Sequence, residues 1–272
     1  RFGEARIAPL AEGTVLPEGF AAGKDARATA VREAVRAAVA AWREAGHATV
    51  DVVDQTVAAR HAEARLDVTV TLAPGRLATF GEVTVSGDTA VREGRIRQIA
   101  GIPRGEAFNP DDVADATARL RRTGIFRSVR LEEGELVGDD GTLDVDIAVS
   151  DREPRRIGAG VEVSTQQGLT VSGFWLHRNI LGGAERFRIE GQASQLGGTV
   201  SDPDYSLDLL IEKPAVYGPL TRFLATASIA REDEPDFLSR TAELSFGVSR
   251  EFSDTLTGDL ALALRQSETR LK

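Results

Sequence analysis

The sequence predicts an α+β fold that gives way to antiparallel β structure: two modules of order β-α-α-β-β, then the N-terminal part of an antiparallel transmembrane β-barrel. Three observations carry this reading. The first half contains a repeat, since Phe2-Gly3-Glu4 recurs as Phe80-Gly81-Glu82, 78 positions later. Gly46 recurs as Gly124 at the same offset, and Leu66-Asp67-Val68 as Leu143-Asp144-Val145 at 77. Helical periodicity then disappears after Arg155, and period-2 alternation replaces it in long segments separated by Gly, Pro and Asp clusters.

The second repeat is the better punctuated. A strand at 80–85 leads to a first helix near 91–100, with Ile96 and Ile99 on one face. Asn109 is placed to cap the second helix, Pro110 fits its first turn, and Asp111 and Asp112 complement its positive dipole end. Val113, Ala116, Thr117 and Leu120 form an i, i+3, i+4, i+7 stripe, and Gly124 supplies the stop. Strands at 126–132 and 143–149 follow, joined through Asp139-Asp140-Gly141. Leu143, Val145, Ile147 and Val149 alternate with polar or small residues, so one face of the last strand packs on the helices. In the first repeat, Pro17, Gly19 and Gly23 break up the first helix region. A long Ala-rich helix over 25–45 sets Val31, Val35, Ala38 and Trp42 at helical spacing, and strands at 49–61 and 64–72 close the module.

Beyond residue 155 seven strands are expected, at 157–163, 169–177, 185–196, 205–212, 221–230, 241–249 and 259–265. Leu209, Leu244 and Leu262 are expected to face lipid, and Asp208, Glu243 and Asp259 the lumen. A soluble antiparallel sheet alternates as well. Length separates the two, because a spanning strand needs roughly 9–11 residues whereas soluble strands average about five or six. Trp175, Tyr205, Phe223, Phe237 and Phe252 lie near strand ends, where interfacial aromatic girdles sit. Parity from the first strand puts inner turns at 179–184, 214–220 and 253–254, and outer turns at 165–168, 197–202 and 232–235.

Composition narrows the function classes. The 272 residues hold no Cys, which removes disulfides, thiol nucleophiles and Cys-based zinc sites. There is no Met and no export signal at residue 1, so a processed or partial chain is expected. The net charge of −9 argues against a nucleic-acid footprint. No apolar run approaches the roughly 18 residues of a spanning helix. No catalytic constellation stands out. His61-Ala62-Glu63 lacks the Cys pair of a zinc deaminase, residues 19–24 lack P-loop spacing, and His47 and His177 are isolated. No enzyme activity, cofactor or metal is expected.

Two segments bear a family resemblance. Leu120-Arg-Arg-Thr-Gly124-Ile-Phe126-Arg-Ser-Val129 resembles the helix-to-strand signature of POTRA domains. Gly173-Phe-Trp-Leu-His-Arg-Asn179-Ile-Leu-Gly182-Gly-Ala-Glu185-Arg-Phe resembles the second and third barrel strands of TamA- and BamA-type outer-membrane assembly factors. The degenerate first repeat tilts the resemblance toward the TamA-like side. The implied organisation is a POTRA domain at 1–75, a second at 76–152, and the first seven or so barrel strands at 153–272. Such barrels carry 16 strands, and the family's Arg-Gly-Phe lid motif is absent here, so a fragment is expected.

The resemblance also implies sites and partners. The sheet-edge strands of the POTRA modules, 49–61 and Arg127, Ser128, Val129, Arg130 and Leu131, would take extended clients by β-augmentation. The first barrel strand, Ile157, Gly158, Ala159, Gly160, Val161, Glu162 and Val163, would form a lateral gate. Gly158 and Gly160 would weaken pairing there or simply give the barrel a flexible corner. Implied partners are the lipid bilayer, unfolded outer-membrane or autotransporter clients, and a periplasm-spanning inner-membrane partner of TamB type. The implied location is the bacterial outer membrane with POTRA domains in the periplasm. A two-partner-secretion pore, a BamA-type general insertase and a soluble periplasmic scaffold are the alternatives.

Overall fold

A computed structural model describes residues 1–165, 168–197, 202–253 and 255–272. The chain divides into two compact units, one of residues 1–84, 102–115 and 131–147, the other of 85–101, 116–130 and 148–272.

The first module comprises β1 (Phe2–Ala8), α1 (Ala28–Glu44), β2 (Asp51–Arg60) and β3 (Arg65–Ala73). Its sheet order is β1-β3-β2, with β1 parallel and β2 antiparallel to the central β3. Residues 9–27 form no helix, as Pro17, Gly19 and Gly23 predict. Phe20 from this loop fills the core in a helix's place and meets the Phe2 ring edge-on at 5.5 Å. Ala34 and Ala38, both fully buried, let α1 lie close to Val68 and Val70 of β3.

The second module comprises β4 (Thr79–Asp88), α2 (Glu93–Ala100), α3 (Pro110–Arg122), β5 (Phe126–Glu133) and β6 (Thr142–Asp151), with sheet order β4-β6-β5. The Asn109 side-chain oxygen accepts the Asp111 N–H at 3.0 Å, which is the predicted cap. Leu143, Val145, Ile147 and Val149 are all buried.

The sequence repeat has a physical cause. Asp67 Oδ1 accepts the Glu4 N–H, and Asp144 Oδ1 accepts the Glu82 N–H, each at 2.7 Å. A Cβ on Gly3 would strike the Asp67 carboxylate, and one on Gly81 the Asp144 carboxylate. Gly and Asp therefore recur as a pair, because the carboxylate occupies the space that a side chain would need.

The remaining strands are β7 (Arg155–Ser164), β8 (Gly168–Arg178), β9 (Arg186–Leu196), β10 (Asp204–Lys213), β11 (Thr221–Asp233), β12 (Phe237–Ser253) and β13 (Leu256–Leu271). They form one seven-stranded antiparallel sheet in sequence order. β12 and β13, at 17 and 16 residues, run well past the expected segments because Arg, Glu, Ser and Thr alternate beyond the apolar stretch. The expected turns at 165–168, 197–202 and 253–254 fall partly outside the described residues.

Register fixes which side chains share a face, because directly paired residues point the same way. One row across all seven strands reads Ile157, Trp175, Ile189, Leu209, Ala227, Leu244 and Leu264. The adjacent row, on the opposite face, reads Gly158, Phe174, Glu190, Asp208, Ser228, Glu243 and Arg265. On β12, Ala242, Leu244 and Phe246 are exposed, whereas Thr241, Glu243, Ser245 and Ser249 are partly or fully buried. That inverts a soluble sheet, in which the apolar face is covered. An apolar surface of this extent needs a nonaqueous neighbour. On β12 the band from Ala242 to Val248 spans six steps, about 20 Å along the strand and about 15 Å along the membrane normal at a tilt of about 40°, which fits within the ~25 Å band of outer-membrane barrels. Arg240 and Arg250 bracket it on the same face. Phe237 departs from the girdle expectation, because its parity is that of Ser239 and Thr241 on the polar face.

Candidate functional site

β7 lies at an edge of the large sheet and pairs with β8 on one side. Among the described residues no strand pairs with its other side. Ile157, Val161 and Val163 are 70–79% exposed and share the apolar face with Trp175. Gly158 has a more specific role than corner flexibility. A Cβ at this position would overlap the Phe174 ring, which also carries the Arg188 guanidinium 4.4 Å from its centroid. At Gly160 a Cβ would approach Ser172 Oγ at 2.9 Å. The two glycines let side chains of β8 lie across β7 on the polar face.

β2 and β5 each lie at one end of their three-stranded sheets, with β1 and β4 at the other ends. β2 is exposed along nearly its whole length. Arg127, Ser128, Val129, Arg130 and Leu131 all lie within β5, where Val129 is buried and its carbonyl accepts Arg121 Nη2 at 3.2 Å.

A third feature escaped the sequence reading. α2 is fastened to two turns of the large sheet within the second unit. Arg95 donates to three backbone carbonyls: Nε to Gly183 at 3.2 Å, Nη1 to Ala215 at 3.3 Å and Nη2 to Pro214 at 2.6 Å. Arg92 donates its backbone N–H to the Gly182 carbonyl and Nη1 to the Leu181 carbonyl, both at 3.0 Å. The turn holding these acceptors is built by Asn179 and Ala184 at positive φ and by Gly182 (φ 76°), with Asn179 Oδ1 accepting the Ala184 N–H at 3.0 Å. Glu185, 2% exposed, closes it by accepting the Gly183 N–H at 2.9 Å and pairing with Lys213 at 3.6 Å.

The electrostatics of this clamp are opposed. Burial pulls the Arg95 pKa down from its ordinary value, while Glu185 raises it and Arg92 lowers it further. Burial pushes the Glu185 carboxyl up, but the Gly183 and Glu185 N–H groups and Lys213 outweigh it and hold the carboxyl below the usual range. Asn179, Gly182 and Glu185 were legible as a motif, yet nothing in the sequence indicated that a distant arginine binds the carbonyls between them. Among the described residues no cluster of three or more metal-ligating side chains occurs.

Comparison with known proteins agrees with this geometry. Residues 78–152 match the POTRA family, described as a surface antigen variable number repeat. An outer membrane protein assembly factor BamA from Neorickettsia risticii is 26% identical over 203 residues, covering 73% of this chain and 26% of the relative. The crystal structure of Haemophilus ducreyi BamA lacking POTRA domains 1–3 superposes with a TM-score of 0.74 at 15% identity, over 99% of this chain and 52% of that one. CdiB from Escherichia coli superposes with a TM-score of 0.55 at 15% identity, over 100% of this chain and 53% of that one. The chain thus spans about a quarter of the curated relative and about half of each solved chain. A POTRA module over residues 78–152 and a seven-stranded sheet of barrel type give the chain the fold of a POTRA–barrel protein, similar to the outer membrane protein assembly factor BamA.

Proposed function

We propose that this chain is the client-handling part of an outer-membrane protein assembly factor. Extended client segments bind the open small-module edges through main-chain hydrogen bonds. They then template on β7, the lateral gate, and pass from there into lipid. The observation that carries this reading is a sheet of barrel type whose exposed face is apolar, with β7 as its first strand. Backbone recognition makes few sequence demands, as a factor with many clients requires. The finer form is a TamA-type factor that acts on autotransporter clients with a periplasm-spanning TamB-like partner; it rests on the resemblance at residues 173–187. A transport pore is the second reading, favoured by the likeness to CdiB and by the polar row through Glu190, Asp208 and Glu243. The stronger likeness to BamA weighs toward assembly.

Photo-crosslinking separates the two. A benzoylphenylalanine scan of residues 157–163 should capture a stalled client at successive positions, with no capture at Leu209. Capture confined to positions 190, 208 and 243 would establish threading and overturn the assembly reading.

A further inference from the structure

The exposed face of the large sheet changes chemistry toward one end. In register, Tyr205, Arg231, Arg240 and Glu268 form one row across β10 to β13. The next row on the same face reads Leu207, Ile229, Ala242 and Gln266, and the one after it Leu209, Ala227, Leu244 and Leu264. The first two rows bound an open cavity of about 470 Å³, lined by Tyr205, Leu207, Ile229, Arg231, Arg240 and Gln266. A second cavity, of about 490 Å³, continues from Leu207, Ile229 and Ala242 to Leu209, Leu244 and Leu264. Together they make one trough, polar at the Arg240 end and apolar at the other.

The charges at the polar end are unevenly matched. Asp202 and Asp233 pair with Arg231 at 3.3 and 3.1 Å, and Glu268 pairs with Arg270 at 2.6 Å. Among the described residues no carboxylate is left for Arg240, which is exposed. Arg231 and Arg240 are also direct cross-strand partners, a like-charge arrangement that destabilises a sheet. The opposite border of the apolar band differs. Arg250 faces Thr221 and Gly258 in register, and its guanidinium lies over the Phe252 ring at 5.8 Å.

We propose that this trough binds one anionic lipid, its phosphate held by Arg240 beside Tyr205 and Gln266, its acyl chains lying along Leu207, Ile229, Ala242 and Leu244. A guanidinium meets a phosphate with two parallel N–H donors, and the apolar rows meet the chains. Free phosphate would satisfy Arg240 and leave the lower cavity uncovered. A lipid without net head-group charge would leave the two arginines facing each other. Only an anionic amphiphile fits both ends. The depth agrees, since four residue steps separate Arg240 from Leu244, about 10 Å along the membrane normal at a tilt of about 40°. A lipid held here pins the depth of β10 to β13 in the bilayer. The proposal rests on the lipid-facing assignment of this face and is independent of client handling.

The test uses the full-length factor in phosphatidylcholine vesicles doped with phosphatidylglycerol or phosphatidylcholine that carries a photoreactive diazirine in its acyl chain. Peptide mass spectrometry locates the adducts. Phosphatidylglycerol should label residues 205–209, 227–231 and 240–244 about tenfold more than phosphatidylcholine does, the discrimination expected of one charge-assisted contact. Arg240→Gln should remove that preference in a protein whose heat-modifiable gel mobility shows it folded. Arg240→Lys should keep most of it, and Arg250→Gln all of it. Equal labelling of the native protein by the two lipids would overturn the proposal and leave the face lipid-exposed, whereas labelling by neither would overturn the lipid-facing assignment as well. Suppression of the preference by excess inorganic phosphate, but not by sodium chloride of equal ionic strength, would make this a free-anion site and overturn the proposal. Labelling that disappears as crosslinkable dimers form would assign the face to a second copy, with the same consequence.

Discussion

Leu244 offers a direct measure of what the large sheet faces. It lies between Ala227 and Leu264 in register, on the face where Arg240 and Arg250 bracket the apolar band. Four residue steps separate it from Arg240 and six from Arg250. At ~3.3 Å per residue and a strand tilt of about 40°, these are about 10 and 15 Å along the membrane normal. Leu244 is therefore near the midplane, where an arginine on the lipid face costs about 2–4 kcal/mol. The neighbouring Ser245 points the other way, between Thr226 and Ala263, on the face that carries Glu243. Ser245→Arg can be hydrated there and should change stability by no more than about 0.5 kcal/mol. Equilibrium urea unfolding in phosphatidylcholine vesicles reads the difference. With a slope of about 2–3 kcal/mol/M, Leu244→Arg should lower the midpoint by roughly 1 M. Equal, small shifts for the two variants would refute a lipid-facing surface, and a larger shift for Ser245→Arg would reverse the assigned faces.

Two further outcomes concern the clamp between α2 and the turns. Arg95→Gln keeps some hydrogen-bonding capacity but loses the charge and the fork that reaches the Gly183, Pro214 and Ala215 carbonyls; each charge-assisted bond contributes about 1.5–3 kcal/mol. Hydrogen exchange at residues 179–185 should rise at least tenfold in the variant, and unchanged protection would remove the clamp from the account. Glu185 has a folded pKa below its ordinary value of 4.5, so its stabilisation is complete above that value and is lost as pH falls through the lower folded one. Unfolding midpoints at pH 7 and pH 3 should therefore converge partly in Glu185→Gln, whereas an identical acid dependence in the variant would contradict the assigned environment.

Much of this architecture was legible because local signals agreed with one another. The Asn109-Pro110-Asp111-Asp112 start and the Gly124 stop delimit α3, and the alternation of Leu143, Val145, Ile147 and Val149 marks β6. The repeat itself reports the Gly–Asp contact that each module needs. Strand ends were harder to read. On β12 and β13 the ladder continues where the apolar pattern stops, since backbone pairing does not require a buried face. The clamp was illegible for a different reason: Arg95 reads as one cation on a helix, and its acceptors are main-chain carbonyls with no side-chain signature.

The central claim is that β7 acts through its backbone. Client insertion into liposomes by the full-length factor, compared for Val161→Ile and Val161→Pro, tests it most directly. Proline removes a ladder donor and disturbs pairing, whereas isoleucine leaves every backbone group in place. The account predicts a near-normal rate for Val161→Ile and, for a folded Val161→Pro protein, a rate at background. Insertion at the normal rate by folded Val161→Pro would contradict it.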